Sequence, residues 1–473
     1  MPDAFCYGGY NNHGNKAHWF IDIRCMKFYD REKELASLEE TRRQAFAESS
    51  KLTVVMGRRR IGKTSLILKS CQNSPTVYLF VSRSNESVLC SRYAKTINDS
   101  IGVFVPGNTV SFSDIFTILM QAGKSMSFNL IIDEFQEFFN INESVYSEMQ
   151  GIWDLYKDAT HVNLIVSGSV HTMMHKIFMD YGQPLYGRCD KVMRLRPFST
   201  STLKSILADY SPNFNNDDLL ALYTFTGCVP KYVSIFMDSH CYNMSDMVNL
   251  MVKQDSIFIE EGNILLIQEF GKKFGNYYSI LSSIASGKNT NAGLSEVLSN
   301  TSLGGHIKRL EEDYEVISKV RPILSKENTQ NVRYEISDNF LRFWFRYIIK
   351  HQDYIQSGSN NALAEIIKAD YPTYSGLTLE RYFRQKMSET GEFRNIGSWW
   401  STNKNAGKGK PNDQHEIDIV GIYSCGNKVL IGEVKRQAKN FKPELLSEKV
   451  ELIRARLFDR YEIKSVCLTL DDM

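Results

Sequence analysis

The sequence predicts an α/β protein built on a parallel sheet, with helical and mixed modules behind it. Three stretches predict it. "TVVMGRRRIGKTSLILKS" (residues 53–70) reads as strand, glycine loop and helix, "NLIIDE" (129–134) is an apolar run ending in two carboxylates, and "NLIVSGS" (163–169) is a third short strand ending in polar residues. Short apolar runs separated by helical stretches are the pattern of buried parallel strands joined by crossover helices. A chain of 473 residues exceeds one core and calls for roughly two to four domains.

Composition narrows the class further. A hydrophobic fraction of 42% with 23% charged residues is that of a folded globular chain. The sequence contains no unbroken apolar run long enough for a membrane-spanning helix, and no membrane partner is expected. The first residues lack a basic-then-apolar export signal, and the nine cysteines are scattered, odd in number and never in a CxxC pair. Together these predict a cytoplasmic protein with free thiols rather than a disulfide framework or a zinc site. With a net charge of only +2, any nucleic acid would have to be held by local patches. Residues 1–25 are rich in Gly and Asn without periodicity and read as a dispensable extension, with translation expected to begin at Met26.

The strand Thr53–Met56 runs into Gly57-Arg-Arg-Arg-Ile-Gly62-Lys63-Thr64, which satisfies GxxxxGK[ST] in the strand–loop–helix context the motif requires. This is a P-loop. Its glycines let the backbone curl until its N–H groups face phosphate at the positive end of the next helix. Lys63 is expected on the β- and γ-phosphates of ATP and Thr64 on Mg²⁺, with Gly57, Arg60, Gly62 and Ser65 completing the nucleotide contacts. Asp133, 70 residues past Lys63, is placed to hold Mg²⁺ through water, and Glu134 to orient and polarise the attacking water. Ser167-Gly168-Ser169 is either a sensor beside the γ-phosphate or a polar turn. Arg188, in the loop "PLYGRCDK", is either a mobile finger that stabilises transition-state charge or half of a surface ion pair. Gly227 and Pro230 in "FTGCVPKYV" bracket a turn that either touches the nucleotide base or only starts a helix.

The segments "FYDREKELASLEE", "GRRRIGKTSLIL", "IIDEFQ", "VSGS", "LYGR" and "GCVPKY" resemble, in that order, the archaeal-type ATPases on the AAA+/STAND side of the P-loop superfamily. The likeness covers residues 26 to about 240, and Asp30, Arg31 and Glu32 match the family's opening box. Cys228 departs from it, standing where a second glycine is common. The resemblance implies an AAA+-like ATPase core over 26–200 and a helical lid over 201–262.

Residues 263–350 spell a winged helix and a junction helix. "YYSILSSIASG" and "AGLSEVLS" are short helices, and Leu303, Ile307, Leu310 and Tyr314 form one stripe of a third. Val316–Val320 and Val332–Ile336 alternate as two strands around a polar turn. A recognition helix would offer His306, Lys308 and Arg309 to DNA, but residues 301–335 hold six Lys/Arg against six Asp/Glu, so DNA binding and plain packing stay balanced. Phe340, Phe343, Trp344 and Tyr347 read as core.

The tail, 351–473, carries a second constellation. "HEIDIVGIY" and "KVLIGEVKRQ" read as adjacent strands of a hairpin turning near Gly426-Asn427. In E-x-K, residues i and i+2 share a face, which sets Glu433 beside Lys435 with Asp418 opposite. Two carboxylates suit a divalent ion and the lysine a developing phosphate charge, with Glu380 as a further carboxylate. Exposed strands with ordinary surface charges are the alternative. "FRNIGSWW" and "EIDIVGIY…LIGEVK" are similar to the nuclease-like, PD-(D/E)XK-type domain of the same ATPase family, which implies Asp418, Glu433 and Glu380 as metal ligands for Mg²⁺ or Mn²⁺ and Lys435 as catalytic. Residues 391–442 hold nine Lys/Arg against five Asp/Glu, and "STNKNAGKGKPND" is expected as a basic loop beside the site. The sequence thus points to an ATP-hydrolysing, DNA-acting protein with a metal-dependent nuclease-like domain. It leaves open a nucleotide-dependent switch or DNA-binding regulator with an inactive tail. A finger arginine acting on a neighbour would require a homo-oligomer.

Overall fold

The computed structural model describes residues 26–169, 171–270, 275–296, 303–401 and 415–473. The expected extension at 1–25 and nearly all of the basic loop at 401–413 lie outside the described residues. The chain divides into two compact units, Asp30–Pro197 and a second formed by Phe198–Met473 with Met26–Tyr29.

The first unit is a five-stranded sheet of β1 (Lys51–Met56), β2 (Thr76–Phe80), β3 (Phe128–Asp133), β4 (Val162–Gly168) and β5 (Lys191–Arg194), in the order β2-β3-β4-β1-β5. All four pairings are parallel. Alternate residues feed two cores. Val54, Leu130, Ile132, Leu164 and Val166 pack on one face, Val55, Ile131 and Ile165 on the other. Burial on both faces is why β3 and β4 read as unbroken apolar runs rather than alternating ones. Each such side chain contributes roughly 1.5–3 kcal/mol. The strand order has a functional consequence. β1 and β3 are not neighbours, because β4 lies between them, with Ser167 level with Val55 and Val166 level with Ile132. The P-loop, Ser167 and Asp133 therefore leave the sheet side by side at its C-terminal edge.

In the second unit the helices Thr200–Tyr210, Asn216–Thr226, Pro230–Asp238, Met244–Val252 and Ile257–Phe270 come first. Ser199 caps the first by accepting from the Thr202 amide, and Asn215 with Asp218 forms a capping box on the second. Helices Gly275–Ala285, Asn291–Ser295 and Leu303–Lys308 follow, then an antiparallel hairpin of β6 (Ile317–Val320) and β7 (Arg333–Ile336). Phe340, Phe343, Trp344 and Tyr347 are buried core. Trp344 lies so close over Gly262 that a methyl group there would collide with its ring, and its indole N–H donates to the Ile259 carbonyl. The expected lid, three-helix-and-hairpin module and tail share one continuous apolar cluster.

A 31-residue helix, Asn360–Thr390, leads into the tail. There β8 (Phe393–Trp400), β9 (Glu416–Tyr423), β10 (Lys428–Val434) and β11 (Glu462–Leu468) form a sheet in the order β11-β10-β9-β8. Only β10 and β11 run parallel, joined by the crossover helix Pro443–Leu457, whose Leu446, Val450 and Ile453 pack on the sheet. The hairpin between β9 and β10 turns at Gly426, whose φ of 73° is left-handed. The cysteines among the described residues are free thiols, and no helix among those residues is long and apolar enough to cross a membrane.

Candidate functional site

The loop between β1 and the helix Lys63–Ser70 makes the cradle. Gly57 has no room for a side chain, since a Cβ would meet the Leu195 carbonyl at 2.9 Å, while Gly62 sits in open space and is required for its φ of 89°. Arg60 also adopts a left-handed φ, 69°. Lys63 is buried, and its ammonium donates to the carbonyls of Gly57 (2.8 Å) and Arg58 (3.1 Å). Thr64 Oγ1 donates to Asp133 Oδ2 at 2.8 Å, so the two expected Mg²⁺ groups already touch. Ser65 is exposed on the first helical turn.

Asp133 also accepts hydrogen bonds from Tyr78 Oη (2.8 Å), Ser167 Oγ and the Glu134 amide (3.0 Å). Glu134 stands in left-handed backbone, φ 56° and ψ 40°, a conformation that costs a non-glycine residue about 1–2 kcal/mol. Its carboxylate has side-chain partners distinct from those of Asp133. Oε2 accepts from Ser169 Oγ at 2.7 Å and from the buried amide of Gln136. Gly168 admits that amide, because a methyl group on it would strike Gln136 Oε1 and Met174. Ser167 and Ser169 thus bond to one carboxylate each. Arg188 pairs with Asp154 Oδ2 at 3.0 Å, the ion-pair alternative, and also donates to the Tyr186 carbonyl. Pro230 lies in the second unit as the first residue of its helix, after Gly227 and Cys228, both left-handed at φ 55° and 62°. The buried Cys228 thiol is pushed well above its usual pKa by desolvation.

In the tail, Asp418, Glu433 and Lys435 converge. Lys435 Nζ lies 2.8 Å from Glu433 Oε2 and 3.5 Å from Asp418 Oδ2. Asp418 Oδ2 also accepts the Val434 amide at 2.8 Å, which fixes its rotamer across the hairpin. A second lysine, Lys449 of the crossover helix, contacts Glu433 Oε1. Glu380 reaches the cluster through Arg384, whose Nη1 is 3.4 Å from Glu380 Oε2 and donates to the Asp418 carbonyl at 2.9 Å. Burial, then repulsion from Asp418, push the Glu380 carboxyl up to about 8. Burial, then repulsion from Glu433, raise Asp418 as well. Burial pulls Lys435 down, but its bonds to Glu433 and Asp418 prevail and hold the ammonium above its ordinary value. Among the described residues, no three acidic, His or Cys side chains are arranged to hold a metal ion.

Residues 28–236 match a family described as an ATPase domain predominantly from Archaea. Over that span the chain is similar to an archaeal-type P-loop ATPase domain. Residues 344–448 match a second family, of archaeal and bacterial proteins of unknown function. An uncharacterized protein of Methanocaldococcus jannaschii is 29% identical over 418 residues, 86% of this chain and 87% of that one. A Walker-type ATPase of Pyrococcus abyssi shares the fold, with TM-score 0.53 at 19% identity over 67% of this chain and 96% of that one. The Aeropyrum pernix ORC2 protein, solved in ADPNP and ADP complexes, gives a looser likeness, with TM-score 0.49 at 13% identity over 71% of this chain and 96% of that one.

Three residues around these sites escape the sequence reading. Tyr78 belongs to the ATPase domain's edge strand and meets Asp133 only because β2 lies beside β3. Gln136 is two residues past Glu134, but its grip depends on the left-handed turn, which nothing in "DEFQ" announces. Lys449 is set by the packing of a helix 16 residues beyond Glu433. Only Gln136 left a local signal, as an uncharged polar residue inside an aromatic run.

Proposed function

We propose that the chain is a cytoplasmic ATP-hydrolysing enzyme that acts on DNA, its nucleotide cycle governing a metal-dependent phosphodiester-cutting site of PD-(D/E)XK type in the tail. One observation carries the reading. Two carboxylates from adjacent strands, Asp418 and Glu433, meet within 3.5 Å of a single lysine ammonium.

At the cradle, Thr64 and Asp133 are hard oxygen donors 2.8 Å apart, a donor set that fits Mg²⁺ and would hold it. When bound, the ion neutralises charge on the β- and γ-phosphate oxygens. Lys63 turns its ammonium from loop carbonyls to those oxygens, and Gly57, Arg60, Gly62 and Ser65 supply backbone and side-chain donors around them. Glu134 Oε1 or Oε2 takes the proton of the attacking water while Gln136 and Ser169 set its direction. Ser167 fixes Asp133, and Pro230 starts the lid helix of the second unit. Arg188 would act on a neighbour's nucleotide in a homo-oligomer, on leaving Asp154.

In the tail, Asp418 and Glu433 offer carboxylate oxygens suited to Mg²⁺ or Mn²⁺, with Glu380 as the further ligand. The ion when bound activates water toward a phosphate. Lys435 stabilises charge that develops on the phosphate oxygens.

A second reading makes the tail a non-cutting DNA-binding element under an ATP switch. It is favoured by the two lysines already neutralising Glu433 and by the lack of a three-ligand metal group among the described residues. Plasmid incubated with Mg²⁺ or Mn²⁺, with and without ATP, separates the two. Cutting that disappears in Glu433→Ala and Lys435→Ala supports the nuclease. Cutting that survives both belongs to a contaminant, and no cutting with ATP turnover intact leaves the switch. Lys63→Ala lowers ATP affinity on the order of 10- to 100-fold under either reading. Unchanged affinity in a calorimetric titration would remove the cradle from the account.

A further inference from the structure

We infer that Tyr78 is a positioning residue of the ATPase site, which keeps Asp133 in place when Thr64 leaves it for Mg²⁺. It rests on the nucleotide-binding reading of the cradle and adds to that reading a residue from outside the P-loop and the ends of β3 and β4.

Tyr78 comes from the edge strand β2, where it is level with Ile131, while Phe80 is level with Asp133. Side chains two apart on a strand point the same way, and partners across a pair share a face, so Tyr78, Ile131 and Asp133 lie on one face of the sheet. Asp133 is then the diagonal neighbour of Tyr78, a separation that an aromatic side chain can span. The half-buried ring packs against the cluster that holds Ile131 and, from the helix after the P-loop, Leu66 and Ile67. This packing aims the hydroxyl along the strands to Asp133 Oδ2, at 2.8 Å.

Each oxygen of the buried Asp133 accepts two hydrogen bonds. Oδ2 takes Thr64 Oγ1 and Tyr78 Oη, both at 2.8 Å, and Oδ1 takes Ser167 Oγ and the Glu134 amide. An ionised carboxylate offers about four lone-pair sites, so all of them are in use. The donors are not equivalent. Thr64 alone carries a hydroxyl that is also the expected Mg²⁺ ligand, so it is the one that changes partner when nucleotide and ion enter. Its departure opens one lone pair on Oδ2, which suits a single contact through water, and Tyr78 keeps the other. Without Tyr78, Oδ2 would retain no donor among the described residues, and the broad χ2 well of an aspartate would let the carboxylate turn about its remaining hold at Oδ1. A tyrosine that only filled space beside the P-loop helix would have no such link to the ion.

The test uses the full chain and ADPNP, which is not turned over, titrated calorimetrically in Mg²⁺ and again in EDTA. The readout is the gain in nucleotide affinity that Mg²⁺ confers. Tyr78→Phe keeps the ring and removes the hydroxyl. Its Mg²⁺ gain is expected to fall about three- to thirtyfold below the parent's, the size of one lost hydrogen bond to a charged group, while affinity in EDTA stays within about twofold. A Mg²⁺ gain equal to the parent's would overturn the inference. An equal loss of affinity in both media would overturn it as well, by making Tyr78 a packing residue of the P-loop helix. If the parent itself binds ADPNP no better in Mg²⁺ than in EDTA, the reading of the cradle fails first and takes the role of Tyr78 with it.

Discussion

The two acidic sites solve the same problem in opposite ways. In the ATPase domain, Asp133 rests on hydroxyls and an amide, from Thr64, Tyr78, Ser167 and Glu134. In the tail, Glu433 rests on two ammoniums, Lys435 and Lys449. Neutral donors orient a carboxylate without cancelling its charge, so the first site keeps its attraction for a cation. Ammoniums cancel it, so in the second a metal ion must compete with groups already present. The cradle leaves its carboxylate charge open to a cation, whereas at the tail two ammoniums already occupy that place.

The largest expected effect tests the first half of that contrast. Glu134→Gln preserves shape and hydrogen bonding but removes the proposed base, and ATP turnover should fall about 10²- to 10⁴-fold while ATP affinity changes little. Steady-state hydrolysis and a nucleotide titration read the two separately. Turnover retained within a factor of a few would move the base elsewhere.

A smaller effect probes the tail. Glu380 has a folded pKa of about 8, raised from the ordinary glutamate range. The native state therefore binds a proton that the unfolded chain has already lost, and metal-free stability should fall as pH rises from the ordinary range toward 8. The slope is at most roughly 1.4 kcal/mol per pH unit. Denaturant melts across that window should flatten in Glu380→Gln. An equally steep fall in that variant would show that another group carries the proton.

The smallest effect concerns Arg188. Its pair with Asp154 is partly exposed and worth roughly 0.2–1 kcal/mol, so Arg188→Ala should barely shift the melting temperature. If turnover also stays within about twofold, the arginine is only a surface partner. A hundredfold loss would restore it as a finger.

Much of this was legible in the chain because its chemistry is carried by short spacings. GxxxxGK[ST] fixes Lys63 and Thr64 by covalent proximity, and E-x-K puts Glu433 and Lys435 on one face by the strand's own period. Asp133 was found by its place at the end of an apolar strand. What stayed hidden depends on which elements become neighbours. The insertion of β4 between β1 and β3 brings Ser167 to Asp133, and no pattern within the three strands dictates that order. Tyr78 and Lys449 arrive from a neighbouring strand and a crossover helix, where an ordinary tyrosine or lysine gives no warning. The expected middle and tail modules read one by one from local periods, whereas burial joins the middle module to part of the tail in one core, beside a separate cluster on the tail sheet.

Gly168 gives the clearest lesson of scale. It bears no charge and no functional group, yet the hydrogen atom it carries in place of a methyl is what leaves Gln136 space to lean on Glu134. A single carbon added there would tilt the Glu134 carboxylate without touching it. Absence of bulk can therefore be as much a working part of an enzyme as any acid or base.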